Sequence, residues 1–189
     1  MLKIKKKNTK FSILEIGQCS IDNIKNEVLN FSYQWEINES RQKTYKTHKD
    51  TKVYQLRDSS YYWNKGNPIE FKDINFFINN KSKEELLKIY KNIENLYNGT
   101  VIRSELVNML ANTKIKKHVD SGDSLYLGRR VHIPIITNKN VFFTVLNDTI
   151  NMKEGYIYEI NNGMPHAVEN NSNFNRVHLI IDVLPNNDK

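Results

Sequence analysis

The chain from residue 100 onward is divided into short strand-like runs, and this pattern constrains the fold more than any other feature. Apolar and β-branched residues recur within the runs, while Asn, Asp, Gly and Lys separate them. Short strands of this kind are typical of β-barrels and jelly rolls. The predicted strands cover residues 101–110, 114–118, 130–137, 141–146, 155–160, 166–169 and 176–184. We therefore predict a β core.

Helices are predicted before this β core. Ser20 can cap a short helix, and a longer helix is predicted over residues 82–97. Ser82 and Glu85 have the spacing of a capping box, and Gly99 is the expected left-handed residue at the helix end. Apolar residues of the longer helix recur at a spacing that produces one apolar face. The predicted fold class is mainly β with N-terminal helices.

Size and composition favour one domain. The chain has 189 residues, 39% of them hydrophobic, which is enough to bury a core. No linker rich in Gly, Ser or Pro interrupts it. We predict a single domain over residues 1–189, with a mixed, helical region over 1–100 and the β core over 101–184.

The sequence favours a cytoplasmic protein. Cys19 is the only cysteine, so no disulfide can form within the chain. The basic residues near the N terminus are not followed by the apolar segment of a secretory leader. No apolar run approaches the length of a membrane span, and we expect no membrane partner.

Positive charge is spread along the chain. The 28 Lys and Arg against 21 Asp and Glu give a net charge of +7. Much of the excess lies among Asn and Ser, without aromatic residues placed for base stacking. We expect no nucleic-acid partner. A binding module that uses the basic surface remains an alternative, and its signature would be a steep salt dependence of polyanion binding.

Two histidines and one aspartate form a possible metal site. His118 and Asp120 are separated by one residue, so their side chains point to the same face of an extended segment. His166 begins another predicted strand after the turn at residues 163–165. Two imidazoles and one carboxylate are the ligand set that holds non-haem iron(II) with positions left open. Each of these residues alone would be an ordinary hydrogen-bonded polar group.

Cationic residues near the predicted site favour an anionic ligand. Arg176 begins an otherwise apolar strand, where a buried guanidinium without a partner would be costly. Arg130 and His132 share one face of their strand by alternation. Because a guanidinium fork matches a carboxylate, these residues could converge on a small dianionic cosubstrate whose other end chelates iron.

Several segments of the β core, taken in order, match a known enzyme family. They are His-Val-Asp at 118–120, Arg-Val-His-Ile-Pro at 130–134, Glu-Gly at 154–155 before the run 156–160, Met-Pro-His-Ala-Val-Glu-Asn at 164–170 and Arg-Val-His-Leu-Ile-Ile-Asp at 176–182. Their order and spacing resemble the aspartyl/asparaginyl β-hydroxylase-like branch of the Fe(II)/2-oxoglutarate-dependent oxygenases. The combination is far more specific than any single motif. The resemblance implies a double-stranded β-helix (jelly-roll, cupin-like) core.

The resemblance also implies roles for the site residues. The implied iron ligands, which are the implied catalytic residues, are His118, Asp120 and His166. Arg176 would bind the distal carboxylate of 2-oxoglutarate, with help from Arg130 and His132. The implied cofactors are Fe(II), 2-oxoglutarate and O2. Because Asp120 is present, we do not expect a halogenase-type site, which needs the carboxylate position vacant for halide.

By the same resemblance, the chain would hydroxylate an amino-acid side chain while 2-oxoglutarate is decarboxylated to succinate and carbon dioxide. The expected substrate is an Asp, Asn or similar residue of a protein or peptide, and residues 1–100 would shape its pocket. A free amino acid such as proline is an alternative, for which Arg57 or Lys65 could bind the charged groups. Another alternative is a non-oxygenase, cupin-type metal-binding protein, a class that lacks the carboxylate-binding arginine.

Overall fold

The computed structural model describes residues 11–30, 35, 49–59, 70–75, 77, 79–120 and 128–186. Lys65 lies outside these residues. Two helices and eleven strands lie within them. In chain order they are β1 (Ile13–Gln18), α1 (Asp22–Val28), β2 (Thr51–Asp58), β3 (Lys72–Asp73), α2 (Asn80–Tyr97), β4 (Gly99–Met109), β5 (Thr113–His118), β6 (Arg129–Ile136), β7 (Val141–Val145), β8 (Asp148–Ile150), β9 (Tyr156–Ile160), β10 (His166–Asn170) and β11 (Arg176–Pro185).

The strands form two antiparallel sheets. The larger sheet has seven strands in the order β1-β9-β6-β11-β4-β2-β3, and the smaller has four in the order β5-β10-β7-β8. Neighbours in the larger sheet are mostly distant in sequence, as in a jelly roll. The predicted fold class, mainly β with a jelly-roll core, is confirmed. Neither helix in the described ranges has the length and apolar character that crossing a bilayer requires.

Both faces of the larger sheet are buried. On one face, α1 and α2 pack against apolar residues that include Leu179 and Ile181 of β11. On the other face, the smaller sheet packs across a second apolar cluster. Side chains alternate along a strand, so β11 directs Arg176 and Asp182 away from the helices and into the space between the sheets. This space contains the candidate site.

Four strands, β1, β2, β3 and β8, were not among the predicted strands. Strands β3 and β8 have only two and three residues, too few to show the alternation by which a strand is recognised in sequence. Strands β1 and β2 each contain a register shift, between Glu15 and Gly17 and between Gln55 and Arg57. The N-terminal part of the chain therefore contributes to the sheet as well as to the helical layer.

Helix α2 begins two residues before its predicted start. Asn79 is its N-cap, and the Asn79 side chain accepts a hydrogen bond from the backbone N–H of Lys81 at 2.9 Å. The predicted cap, Ser82, lies inside the helix, where its hydroxyl donates to the backbone carbonyl of Asn23 at 3.0 Å. The predicted capping box is therefore wrong, because Ser82 is used to attach α2 to α1.

Glu85, the other member of that predicted box, caps α1 instead. Its buried carboxylate accepts hydrogen bonds from the hydroxyl of Ser20 at 2.6 Å and from the backbone N–H of Ile24 at 2.9 Å. The N-cap position of α1 is Ile21, which has no side-chain oxygen to offer. The predicted role of Ser20 as the cap is therefore replaced by a contact between the two helices.

The end of α2 depends on two adjacent residues. Asn98, rather than Gly99, has the left-handed conformation, with φ of 43°. Asparagine tolerates this region because its short polar side chain can hydrogen-bond locally. Gly99 begins β4, and a Cβ atom there would lie 2.5 Å from the carbonyl oxygen of Leu184. Gly99 is therefore needed for the close approach of β4 and β11.

Candidate metal centre

The smaller sheet brings the three predicted metal ligands together. His118 ends β5 and His166 begins β10, and these two residues are direct partners in the antiparallel pairing. Asp120 follows β5, and its Oδ1 lies 3.6 Å from Nε2 of His118 and 3.7 Å from Nε2 of His166. One potential ligand atom from each residue lies within 4.8 Å of the others. The three side chains thus form one cluster of two imidazoles and one carboxylate.

Backbone carbonyls fix the orientation of both imidazole rings. Nδ1 of His118 lies 2.8 Å from the carbonyl oxygen of Lys116, and Nδ1 of His166 lies 2.9 Å from that of Met164. A carbonyl oxygen can only accept, so Nδ1 carries the hydrogen in each ring. Nε2 then presents its lone pair toward Asp120. This is the tautomer and the outer hydrogen bond that histidine ligands of metals usually have.

A buried chain of charges extends from Asp120. Its Oδ2 accepts a hydrogen bond from Nη1 of Arg130 at 2.6 Å. Nε and Nη2 of Arg130 donate to the two oxygens of Asp182, each at 2.8 Å. Burial by itself lowers the pKa of Arg130, but the carboxylates of Asp182 and Asp120 raise this pKa above its ordinary value. Arg130 therefore stays charged and links Asp120 of the His-Asp-His cluster to Asp182 of β11.

Arg176 is buried without a counter-ion. Its side chain is 1% exposed, and Nη2 lies 2.5 Å from Nδ1 of His178. Within the described part of the chain, its Nε has no hydrogen-bond partner and no carboxylate pairs with the guanidinium. Burial lowers the pKa of Arg176 to about 9. A buried charge with nothing to neutralise it is costly, and an anionic ligand would remove that cost.

Two buried histidines lie beside Arg176. His178 accepts from Arg176 at Nδ1, so its hydrogen is on Nε2, and its Nδ1 also lies 3.4 Å from Nδ1 of His132. The Nε2 atoms of both rings are buried and have no hydrogen-bond partner among the described residues. Burial, followed by the charge of Arg176, lowers the pKa of both rings well below its ordinary value. Both rings are therefore neutral groups with capacity to bind a ligand.

One cavity is lined both by the His-Asp-His cluster and by Arg130, His132 and Arg176. Its walls include every residue that the sequence predicted for the site, namely His118, Asp120, Arg130, His132, His166 and Arg176. Apolar side chains complete the walls, and the ring of Phe143 stacks on His166 at a centroid distance of 6.2 Å. The His-Asp-His cluster and the buried guanidinium of Arg176 therefore line the same cavity.

Two residues, Asp182 and Arg57, have positions that the sequence analysis did not predict. Asp182 was not predicted, although alternation from Arg176 places it on the same face of β11. Arg57, one residue suggested for binding a free amino acid, is paired with Asp73 and donates to the carbonyl of Val101. It does not line the cavity.

One comparison with a solved structure agrees with the fold, and two others cover less of the chain. A solved oxidoreductase of the 2OG-Fe(II) oxygenase family from Burkholderia pseudomallei superposes with a TM-score of 0.52 at 13% identity, covering 72% of this chain and 69% of that one. A conserved protein of unknown function from Streptococcus pyogenes gives a TM-score of 0.35 at 17% identity, over 44% of this chain and 64% of that one. A protein from Thermus thermophilus gives 0.35 at 22% identity, over 44% and 71%.

Sequence comparison identifies the family. No curated protein sequence matches the chain. The sequence profile of the aspartyl/asparaginyl β-hydroxylase family, however, matches residues 18–185, which is most of the chain and includes the whole candidate metal centre. The chain therefore belongs to the aspartyl/asparaginyl β-hydroxylase family.

Proposed function

We propose that the protein is an Fe(II)- and 2-oxoglutarate-dependent dioxygenase that hydroxylates an amino-acid side chain. The observation that carries this proposal is the position of Arg176, a buried guanidinium that has no counter-ion among the described residues and lies in the cavity that also contains the His-Asp-His cluster. A His-Asp-His cluster alone would be compatible with many classes of metal-binding protein. The combination with a buried anion site suits an oxygenase that must bind a dicarboxylic oxoacid beside its metal.

The donor atoms fit iron(II). His118, Asp120 and His166 would hold it, because the Nε2 atoms of two imidazoles and one carboxylate oxygen face a common point. This ligand set occupies one face of the metal and leaves positions for cosubstrate and dioxygen. Bound there, iron(II) with 2-oxoglutarate supplies the activation of dioxygen, coupled to release of succinate and carbon dioxide.

The protein's own residues would orient the cosubstrate. Arg176 would form a fork with the distal carboxylate, which neutralises the buried charge. His132 also lines the cavity, and its Nε2, which has no hydrogen-bond partner among the described residues, adds hydrogen-bonding capacity there. Arg130 has a smaller share in this role than the resemblance implied, because three of its N–H groups are taken by Asp120 and Asp182. Only its remaining N–H groups are available to a ligand.

The substrate that we propose is an Asp, Asn or similar side chain within a protein or peptide, which membership of this family favours. A free amino acid is the second candidate. It is less favoured because Arg57, proposed for its charged groups, is engaged away from the cavity.

Binding of Fe(II) and 2-oxoglutarate without oxygen is the direct test. We expect the visible charge-transfer absorption of a 2-oxoglutarate chelate to develop as cosubstrate is added to the iron-loaded protein under anaerobic conditions. A screen of amino acids and peptides for enhanced succinate release in air would then identify the substrate class. If no chelate absorption develops at saturating Fe(II) and 2-oxoglutarate, the proposed function is wrong, and a cupin-type metal-binding protein becomes the better hypothesis.

A further inference from the structure

We infer that Asp182 is a positioning residue for the metal centre. Through Arg130, it would hold Asp120 so that a single carboxylate oxygen faces the two histidines. The inference rests on the proposed role of Asp120 as a metal ligand. It adds a residue on β11, on the opposite sheet from the two histidines, that neither touches the metal position nor belongs to the cosubstrate end of the cavity.

The contact between Asp182 and Arg130 is built into the larger sheet. The two residues are direct partners in the antiparallel pairing of β11 with β6, and both side chains point into the space between the sheets. Two parallel N–H···O bonds of 2.8 Å join them. Asp182 is 2% exposed and Arg130 is 5% exposed. A buried fork of this geometry fixes the plane of the guanidinium.

The fixed guanidinium in turn orients Asp120. Asp120 follows the end of β5, and the torsion that turns its carboxylate has a broad energy minimum, so the backbone alone does not choose which oxygen faces the histidines. Arg130 makes that choice, because its Nη1 holds Oδ2 at 2.6 Å. Oδ1 is then the oxygen directed at Nε2 of His118 and His166. The carboxylate can offer a metal one oxygen while the other stays engaged.

Charge gives Asp182 a second effect. Arg130 paired with Asp120 alone would neutralise the carboxylate and weaken its attraction for a dication. Asp182 takes two of the three guanidinium contacts, so within this group of three side chains two carboxylates oppose one guanidinium. Such outer contacts of metal ligands usually contribute about 10- to 100-fold to metal affinity.

The chain provides a matched control for the loss of a forked ion pair. Arg57 and Asp73 form a similar fork at the β2–β3 edge, with Nε to Oδ1 at 2.6 Å and Nη2 to Oδ2 at 3.4 Å. Arg57 is buried, and neither residue lines the cavity. The variant Asp73→Asn therefore removes a carboxylate from a buried arginine without changing the contacts of Asp120.

The test compares Asp182→Asn with Asp73→Asn in binding Mn²⁺ and Co²⁺ alone. We expect Asp182→Asn to weaken Mn²⁺ binding by about 10- to 100-fold in calorimetry and to change the visible absorption of bound Co²⁺, because the Arg130 guanidinium loses the fork that fixes its plane and orients Asp120 less strictly. We expect Asp73→Asn to bind both ions as the unchanged protein does. If Asp182→Asn keeps the Mn²⁺ affinity and the Co²⁺ spectrum, the inference is overturned while the proposed function stands. If the unchanged protein binds neither ion, the proposed function falls with it.

A second variant covers the case in which Asp182→Asn does not fold. The double substitution Arg130→Met with Asp182→Leu replaces the buried pair by apolar side chains of similar size, which proteins often tolerate without loss of stability. Asp120 then has no guanidinium to orient it. Weaker Mn²⁺ binding together with a changed Co²⁺ spectrum supports the positioning role, and metal binding equal to that of the unchanged protein overturns it.

Discussion

Replacement of Arg176 by methionine should stabilise the ligand-free protein and, at the same time, abolish tight binding of 2-oxoglutarate. Arg176 is 1% exposed, has no carboxylate partner among the described residues, and keeps its Nε unbonded. The buried charge therefore destabilises the ligand-free folded protein, and a bound anion would neutralise it. Methionine occupies a similar volume without that cost.

The pKa of Arg176 gives the order of magnitude of the expected gain in stability. Burial lowers it from 12.5 to about 9, which at about 1.36 kcal/mol per pKa unit is a cost of about 5 kcal/mol at most. The folded-state pKa is lower than that of the unfolded chain, so the cost is present in full below about pH 9 and declines above it. Replacement of buried ions by apolar groups usually recovers about 1–4 kcal/mol. For a chain of this length, a gain of 2 kcal/mol would raise Tm by about 4–8 °C.

The same substitution, Arg176→Met, should weaken binding of 2-oxoglutarate, although it stabilises the ligand-free protein. Loss of one member of a buried charge pair costs about 2–5 kcal/mol, which corresponds to weakening of the 2-oxoglutarate Kd by about 30- to 4,000-fold. Thermal unfolding at neutral pH, with and without 2-oxoglutarate, measures both effects in one experiment. The unchanged protein should gain stability with 2-oxoglutarate by mass action, and Arg176→Met should not.

Arg57→Met serves as the control for a buried arginine that has a partner. Arg57 is paired with Asp73 and stacks on Phe71 at 3.7 Å, so its loss should lower Tm. A lower Tm for ligand-free Arg176→Met, combined with an unchanged response to 2-oxoglutarate, would refute the reasoning. Arg176 would then be an ordinary structural residue.

Four further substitutions test the ligand assignment and the packing of the fold. His118→Ala and His166→Ala should each abolish iron-dependent succinate formation, and activity that persists in both would contradict the ligand assignment. Glu85→Gln should cost about 1–2 kcal/mol in urea unfolding, because the group that caps α1 loses its charge, and should leave metal affinity unchanged. Gly99→Ala should cost about 1–3 kcal/mol, since its Cβ would lie 2.5 Å from the carbonyl of Leu184; a neutral result would mean that β4 moves freely there.

Much of the fold could be predicted because its signals are local. The runs of the β core are bounded by turn residues, and each predicted run has an observed strand close to its bounds. The helix α2 has a strong apolar period. Strands β1, β2, β3 and β8 were missed, and the last two are too short to show an alternating pattern. The caps of the helices were misassigned because Glu85 and Ser82 bind partners on α1, about sixty residues away in the chain.

The candidate site was partly predictable for the same reason. The spacing of His118 and Asp120 places them on one face, and the resemblance supplied His166 as their partner. Asp182 could not be found in this way, because its importance comes from a contact with Arg130, 52 residues away. Single-domain organisation, cytoplasmic location and the identity of the substrate stay predictions.

Arg130 and Arg176 illustrate which properties of the site the sequence determines and which depend on the tertiary structure. Both occur in the same local sequence, Arg-Val-His, at 130–132 and at 176–178, and both are buried on strands of one sheet. The sequence determines that each arginine shares a strand face with a histidine. Only the fold gives Arg130 two carboxylates and leaves Arg176 with none among the residues that the structure describes, because Coulombic partners of a buried charge come from segments that are remote in the chain.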